Sequence, residues 1–242
     1  MIFGGMGKTA ELIIELLGKT KHNISIFDIS DDNKYSHHEG ITVIHGNICN
    51  QDEVIESLKN IDVVLHLAVN ISNTKDDKES FLTNVYGTYN VLNGARINRV
   101  PKVIIASSAP VHIVSELRSS DDYCCSAGDD FTYDLTKGLQ EVVAQHFVRS
   151  FNMNCLILRL GHIVDGKNQT TLSGAPLSEL SYCRGGWVCK YDVARAFQRG
   201  IDTDFSHYNL ANIIGSYQAN NQFDLSSDNV LSFECEEKFL NY

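Results

Sequence analysis

Met1-Ile2-Phe3-Gly4-Gly5-Met6-Gly7-Lys8-Thr9-Ala10 is the stretch whose reading decides the fold. Its first three residues are the tail of an apolar strand, which runs straight into a glycine-rich turn. A helix follows, with Ala10, Leu12, Ile13, Leu16 and Leu17 expected on its buried side and Gly18 as its stop. Ile24-Ser25-Ile26-Phe27 reads as a second strand and ends in Asp28, 21 residues after Gly7. This is the order that seats a dinucleotide. Glycines let the backbone approach a pyrophosphate at a helix N-terminus, and an acid about 20 residues on meets the ribose hydroxyls. Ala10 takes the third small-residue position, which only has to permit close helix–strand packing. Asp28 would repel a 2′-phosphate, so NAD is favoured over NADP. Three residues before Gly4 is short for a first strand, and the expectation is that a few residues are missing from its start.

The alternation of strands and helices continues. Ile41 to Ile44 reads as a strand, followed by Gly46-Asn47-Ile48, where Asn47 is placed to reach an adenine edge. Asn50 is set to cap a short helix with Asp52 and Glu53 in its first turn. Asp62 to Ala68 is a buried strand containing His66, read as a satisfied core histidine. Asn70 to Lys78 is expected to be a loop over the cofactor face, and Phe81 to Ile97 a long helix. Val103 to Ala106 forms the next strand and delivers Ser107 and Ser108 at its carboxyl end. A second long helix runs to Arg149, and Cys155 to Arg159 is another strand. The pattern predicts an α/β fold, a doubly wound parallel sheet of the Rossmann type, with ligands at the carboxyl ends of the strands. Asp28, Ala68, Ser108 and Gly161 all fall at such ends. The expected division is a cofactor-binding domain over 1–161 and a small C-terminal substrate-binding lobe over 162–242, interleaved with the end of the sheet.

Tyr133-Asp134-Leu135-Thr136-Lys137 carries the chemistry. A tyrosine and a lysine four apart share one helix face. An ammonium there lowers the phenol's pKa from about 10 towards neutrality, making it a usable proton donor or acceptor. Ser108, 25 residues upstream, supplies a hydroxyl to hold a substrate oxygen. In a chain with ten tyrosines the pair alone is weak evidence; its place after the dinucleotide pattern gives it weight.

Composition excludes other classes. A net charge of −10 argues against a nucleic-acid backbone or an anionic membrane as partner. No apolar run approaches the roughly 20 residues that span a bilayer, and the expectation is that no signal peptide precedes the fold. The seven cysteines, including the adjacent Cys124 and Cys125, show no ligand spacing and read as reduced cytoplasmic thiols, without a metal site.

Taken together, these pieces resemble the extended short-chain dehydrogenases/reductases, in the NAD-dependent epimerase/dehydratase branch. The matching stretches are Gly4 to Gly7, Asp28, Gly46-Asn47-Ile48, Asp62 to Ala68 and Asn84-Val85-Tyr86-Gly87-Thr88. They continue with Ser107-Ser108, Tyr133 with Lys137, Arg159-Leu160-Gly161, and Gly186-Trp187-Val188 on to Ala194. The resemblance implies Tyr133 as acid/base, Lys137 lowering its pKa while holding the nicotinamide ribose, and Ser108 orienting the substrate oxygen. It implies cofactor contacts at Gly4, Met6, Gly7, Asp28, Asn47, Ile48, Leu67, Ala68, Asn84, Ser107, Tyr133, Lys137, Gly161 and His162. It also implies a homodimer built on the helices around 84–91 and 139–148. Departures are Pro110-Val111-His112-Ile113, where Thr-Val-Tyr-Gly is usual, and Asn47, where aspartate is usual.

In layout the chain is nearest to uronate dehydrogenase-like enzymes, with Phe27-Asp28-Ile29-Ser30 and the Trp187 segment similar to theirs. Ala109-Pro110 and His162 differ from their pattern. The 81 residues after Gly161 carry few cations (Lys167, Arg184, Lys190, Arg195, Arg199 and Lys238), which suits a small substrate better than a nucleotide diphosphate. Ser108, Ala109, His112 and Arg184 are the substrate-side candidates, Arg184 for a carboxylate. The expected function is NAD-dependent oxidation or reduction at a hydroxyl or carbonyl of a sugar or sugar acid. The alternatives are a nucleotide-sugar epimerase/dehydratase that recycles its NAD, and a dinucleotide-sensing protein without turnover.

Overall fold

The computed structural model describes residues 1–71, 77–111, 131–180, 186–216 and 230–239. In chain order, β1 (Ile2–Phe3), α1 (Lys8–Gly18), β2 (Ile24–Asp28), β3 (Ile41–His45), α2 (Gln51–Ser57) and β4 (Val63–His66) form the first half of the sheet. A continuous helical stretch follows: α3 (Asp77–Ser80), a π-helical segment (Phe81–Tyr86) and α4 (Gly87–Ile97). Then come β5 (Lys102–Ser108), α5 (Phe131–Phe151), β6 (Cys155–Leu160), β7 (His162–Asp165), β8 (Thr170–Thr171), β9 (Trp187–Cys189), α6 (Lys190–Asp202) and β10 (Tyr208–Ile213).

Seven strands pair in the order β10-β6-β5-β4-β1-β2-β3, all parallel. The order reverses at β1, which lies between β2 and β4, and a cleft opens beyond the carboxyl ends of these strands. Side-chain alternation along each strand separates two cores. Ile2, Ile26, Leu65, Ile104 and Leu156 lie in one register row and pack with α1 and α6. Phe3, Phe27, Ile105 and Ile157 lie in the next row and pack with α2, α4 and α5. His66 sits in that second row, between Phe3 and Ile105. Each fully buried Ile, Leu or Phe contributes roughly 1.5–3 kcal/mol.

The structure adjusts several expectations. The buried stripe of α1 is Ala10, Ile13, Ile14 and Leu17, a spacing of 3, 1 and 3, while Leu12 and Leu16 are only partly buried. Regular pairing in β4 ends at His66, although the Leu67 N–H still donates to the Phe3 carbonyl at 2.9 Å. The helix expected from Phe81 starts at Asp77. Residues beyond 161 contribute both α6 and the edge strand β10, so the large sheet takes its seventh strand from the C-terminal part. The rest of that part forms a three-stranded sheet, β8-β7-β9, over a separate core of Val164, Leu177, Trp187, Cys189 and Phe239. Asp192, buried at the start of α6, accepts from the Glu236 and Glu237 N–H groups and so pins the last described segment to the domain. Among the described residues, no helix is long and apolar enough to cross a membrane.

Candidate active site

The cleft at the switch point has a volume of about 590 Å³, and Gly4, Met6, Gly7, Asp28, Asn47, Ile48, Leu67 and Ala68 all line it. Its floor depends on Gly4, which has φ +80°; a Cβ there would lie 2.5 Å from the Ala68 nitrogen. Gly7 precedes α1 and has no side chain to cap it, which leaves the first N–H groups of an 11-residue helix facing the cleft for a ligand phosphate. Across the cleft, Asp28 accepts from the Met6 N–H at 2.9 Å and the Ser30 N–H at 3.0 Å. One carboxylate thus fixes the glycine turn and the loop after β2 together. These features fit a dinucleotide: an open backbone cradle, a helix N-terminus and an acid at the end of β2 lining the same cleft.

Asn47 uses its side-chain oxygen on the Cys49 N–H at 2.8 Å, so its amide NH2 is the group left to meet a base edge. Asn50 caps α2 as expected, accepting from the Asp52 and Glu53 N–H groups. Sequence reasoning missed Ile29, Ser30, Ile71, Thr83 and Leu172, all of which line the same cleft. For Ile29 and Ile71 a signal existed: they are apolar residues in polar loops, and they are 66% and 64% exposed. Leu172 follows β8, a strand too short to carry a pattern.

The second part of the site is buried. The Lys137 ammonium lies 5.9 Å from the centre of the Tyr133 ring and donates to the Ala106 carbonyl at 2.9 Å. This ties the helix face that carries the tyrosine to β5, two residues before Ser108. Burial pushes the Lys137 pKa down to about 8, against the opposing pull of Glu141. Ser108 is buried at the end of β5, opposite Leu160 and next to Gly161 in register. Gly161 lies so close to the next layer that a Cβ would be 2.9 Å from the Gly186 carbonyl oxygen.

Asn84 is turned into the core by the π-helical segment, a deviation that often marks functional positions. Its amide is fully engaged: the oxygen accepts from the Asn70 N–H at 2.7 Å, and the NH2 donates to the Asn70 carbonyl and to Thr136 Oγ1. Asn84 therefore joins the loop after β4 to the turn of α5 that holds Tyr133. The hydroxyl of Ser107 is also engaged, donating to Glu141 at 2.5 Å. His66 lies in the core as the sequence suggested, but it is satisfied only at Nε2, since its buried Nδ1 has no hydrogen-bond partner among the described residues. It pairs with Thr88 Oγ1 at 2.8 Å, and burial holds it neutral with a pKa of about 3. His162 starts β7 with an exposed side chain, and Ala109 is buried just past β5. His112, Arg184, Cys124 and Cys125 lie outside the described residues.

Four cations of the C-terminal part, Lys167, Lys190, Arg195 and Arg199, are engaged within the protein. Lys190 pairs with Asp165 at 2.5 Å, Arg195 with Asp192 and Glu236, and Arg199 with the Leu231 carbonyl. Lys167 lies 4.1 Å from the centre of the Tyr191 ring.

A parallel sheet in this strand order, with a glycine turn at its switch point, defines a Rossmann-fold protein of the short-chain dehydrogenase type. Residues 1–174 match the NAD dependent epimerase/dehydratase family, and the chain belongs to that family, one of NAD-dependent enzymes. It is 21% identical to an L-arabinose 1-dehydrogenase (NAD(P)(+)) of Haloferax volcanii, over 87% of this chain and 85% of that one. It is 23% identical to a uronate dehydrogenase of Pseudomonas syringae pv. tomato, over 84% of this chain and 69% of that one. The fold is shared with a crystal structure of a uronate dehydrogenase mutant from Agrobacterium tumefaciens complexed with NAD. The TM-score is 0.73 at 16% identity, covering 98% of this chain and 84% of that chain.

Proposed function

We propose that this protein is an NAD-dependent oxidoreductase of a sugar or sugar-acid hydroxyl, with Tyr133 as acid/base. The observation that carries the reading is the buried Lys137 ammonium, set between the Tyr133 ring and the end of β5. NAD, when bound, accepts the hydride from the substrate carbon. Gly4, Met6 and Gly7 would hold its pyrophosphate, Asp28 its adenosine ribose, and Asn47, Ile48, Leu67 and Ala68 its adenine side. Ser108 would hold the substrate hydroxyl while Tyr133 removes its proton. Lys137 stabilises the phenolate electrostatically, since an opposite charge favours the ionised form. Asn84 and Ser107 act in this reading by fixing α5, and Gly161 and His162 border the nicotinamide end. Ala109, His112 and Arg184 remain the substrate-side candidates.

A free sugar or sugar acid is favoured over a nucleotide sugar. Lys190, Arg195 and Arg199 already serve internal partners, and a diphosphate needs cations that are available to it. The similarity to an arabinose dehydrogenase and a uronate dehydrogenase supports the same choice. We assign residues 1–161 to the cofactor and the β7–β9 region of 162–242 to the substrate side. Cys49, Cys155, Cys189 and Cys235 are unpaired, which fits a reducing, cytoplasmic setting. A second copy of this chain is the proposed partner. Phe81, Tyr86 and Tyr89 are exposed and line a shallow groove with Val143 of α5, and Tyr86 and Tyr89 stack at 6.2 Å, giving a contiguous apolar face of the kind that marks an interface.

The test is absorbance at the NADH band with NAD and a panel of aldoses, hexuronic acids and nucleotide sugars. NADH accumulation with a free sugar or uronic acid is the expected result. Conversion of a nucleotide sugar without net NADH would replace this reading with internal redox. NAD binding without turnover on the panel would favour a sensor.

A further inference from the structure

Directly behind the Tyr133–Lys137 pair lies a charge cluster that the reaction as described does not use. Glu141 is one helical turn beyond Lys137 on the same face of α5. Arg159, on β6, holds it with both arms: Nε donates to Oε1 at 2.9 Å and Nη2 to Oε2 at 2.8 Å. Ser107, on β5, donates to Oε1. All four residues are buried. One carboxylate therefore joins a helix and two neighbouring strands at the carboxyl end of the sheet, where Ser107 and Arg159 face each other in register.

We infer that Glu141, clamped by Arg159 and Ser107, is a positioning residue of the reaction: it acts through Lys137, supplying the countercharge behind the ammonium that faces Tyr133. The inference rests on the acid–base reading of Tyr133 for its consequence, though not for its geometry.

A buried ammonium loses its proton readily unless an anion is near. The other groups facing this cluster do not supply one. His66, on β4, is held neutral by burial and by Lys137 itself. Cys155, on β6, and Tyr208, on β10, have pKa values pushed up by burial and by Glu141, so both remain protonated. Among these described residues Glu141 is the anion, and Arg159 is the cation that holds it in place. Neutralising Glu141 would leave Lys137 with Arg159 as its charged neighbour, and like charges in a dry site favour loss of the more labile proton. A large part of the ammonium would then be lost at neutral pH, and with it much of the field that makes the phenol a base. Removing Arg159 has the opposite sign, because Glu141 would be left to Lys137 alone.

The experiment is an NMR titration of the protein labelled at lysine Cε, without substrate or cofactor, with the Lys137 signal assigned by its loss in Lys137→Arg. In Glu141→Gln the Lys137 midpoint should fall by about one pH unit or more. In Glu141→Asp, which keeps the charge and shortens the side chain, it should stay nearer to wild type than in Glu141→Gln. In Arg159→Met it should rise. A part that only maintained shape would favour Gln over Asp and could not move the midpoint in opposite directions. An unchanged midpoint in Glu141→Gln, or an Asp shift as large as the Gln shift, overturns the inference. If Glu141→Gln does not fold, Arg159→Met decides: a midpoint that is unchanged or lower overturns it. Because the titration needs no turnover, it separates the two claims. Full activity of Tyr133→Phe would remove the acid–base reading while leaving the Glu141–Lys137 coupling intact.

Discussion

The two ends of the site are built on opposite principles. The cofactor end, from Gly4 to Asp28, is an open cleft lined by a glycine turn and mostly apolar side chains, and it carries one carboxylate. The proton-transfer end, around Lys137, is closed and holds three charged side chains out of water. A ligand that brings its own charges needs donors left vacant and room for its atoms. A proton transfer needs charge already placed in a medium of low polarity, where electrostatic interactions are strong.

Changes at the closed end should therefore have the largest effects. Tyr133→Phe should lower turnover by roughly 10²–10⁴ without unfolding the protein, as for loss of a general acid/base. Steady-state kinetics alongside a thermal melt would check this, and full turnover would place the chemistry elsewhere. His66 gives the next effect. Its folded pKa of about 3 lies below the usual 6.5, so between those values the unfolded chain binds a proton that the folded one refuses. Stability should fall as pH drops from 6.5 towards 3, by on the order of a few kcal/mol. Urea unfolding across that range should show the slope, and His66→Gln should flatten it. A slope equal in both proteins would assign the acid sensitivity to other groups.

Changes at the open end should act through shape and contact. Gly4→Ala should cost about 2–3 kcal/mol and lower the melting temperature, because the residue has φ +80° and its new Cβ would overlap Ala68. NAD titration of the folded fraction should also show weaker binding. Asp28→Ala should weaken NAD about tenfold or more, consistent with losing one charged hydrogen-bond acceptor. Calorimetry with NAD and NADP would read it, and a wild-type preference for NADP would contradict the role given to Asp28. A small effect of Gly4→Ala combined with a large loss at Asp28→Ala would show that the open end relies on charge as much as the closed one.

The same contrast explains what could be read without coordinates. The open end is encoded locally. Gly4 to Gly7 and Asp28 fall within one βαβ unit, so spacing along the chain places them in space, although the helix between them buries Ile14 rather than the expected Leu12 and Leu16. The closed end was only half legible. Tyr133 and Lys137 declare themselves because they lie one turn apart, but Glu141, Arg159 and Ser107 come from three elements and carry no shared motif. Arg159 entered the sequence reading as the end of a strand and in the Arg159-Leu160-Gly161 match, with no partner assigned, and Glu141 not at all. The helix start at Asp77 was hidden by the polar character of its first turn. The strand β10 was missed because Tyr208 to Ile213 mixes asparagine with apolar residues, half of them only partly buried.

By itself, the sequence determined the alternation of strands and helices, the glycine turn with its acid, and the tyrosine–lysine pair. Each follows from periodicity or from short spacing along the chain. Only the tertiary structure decided that Lys137 is buried against β5, that Arg159 and Ser107 clamp Glu141, and that Lys190, Arg195 and Arg199 have internal partners. Those facts depend on which strands become neighbours and on how little water reaches between them, and neither is written in the spacing of any one segment.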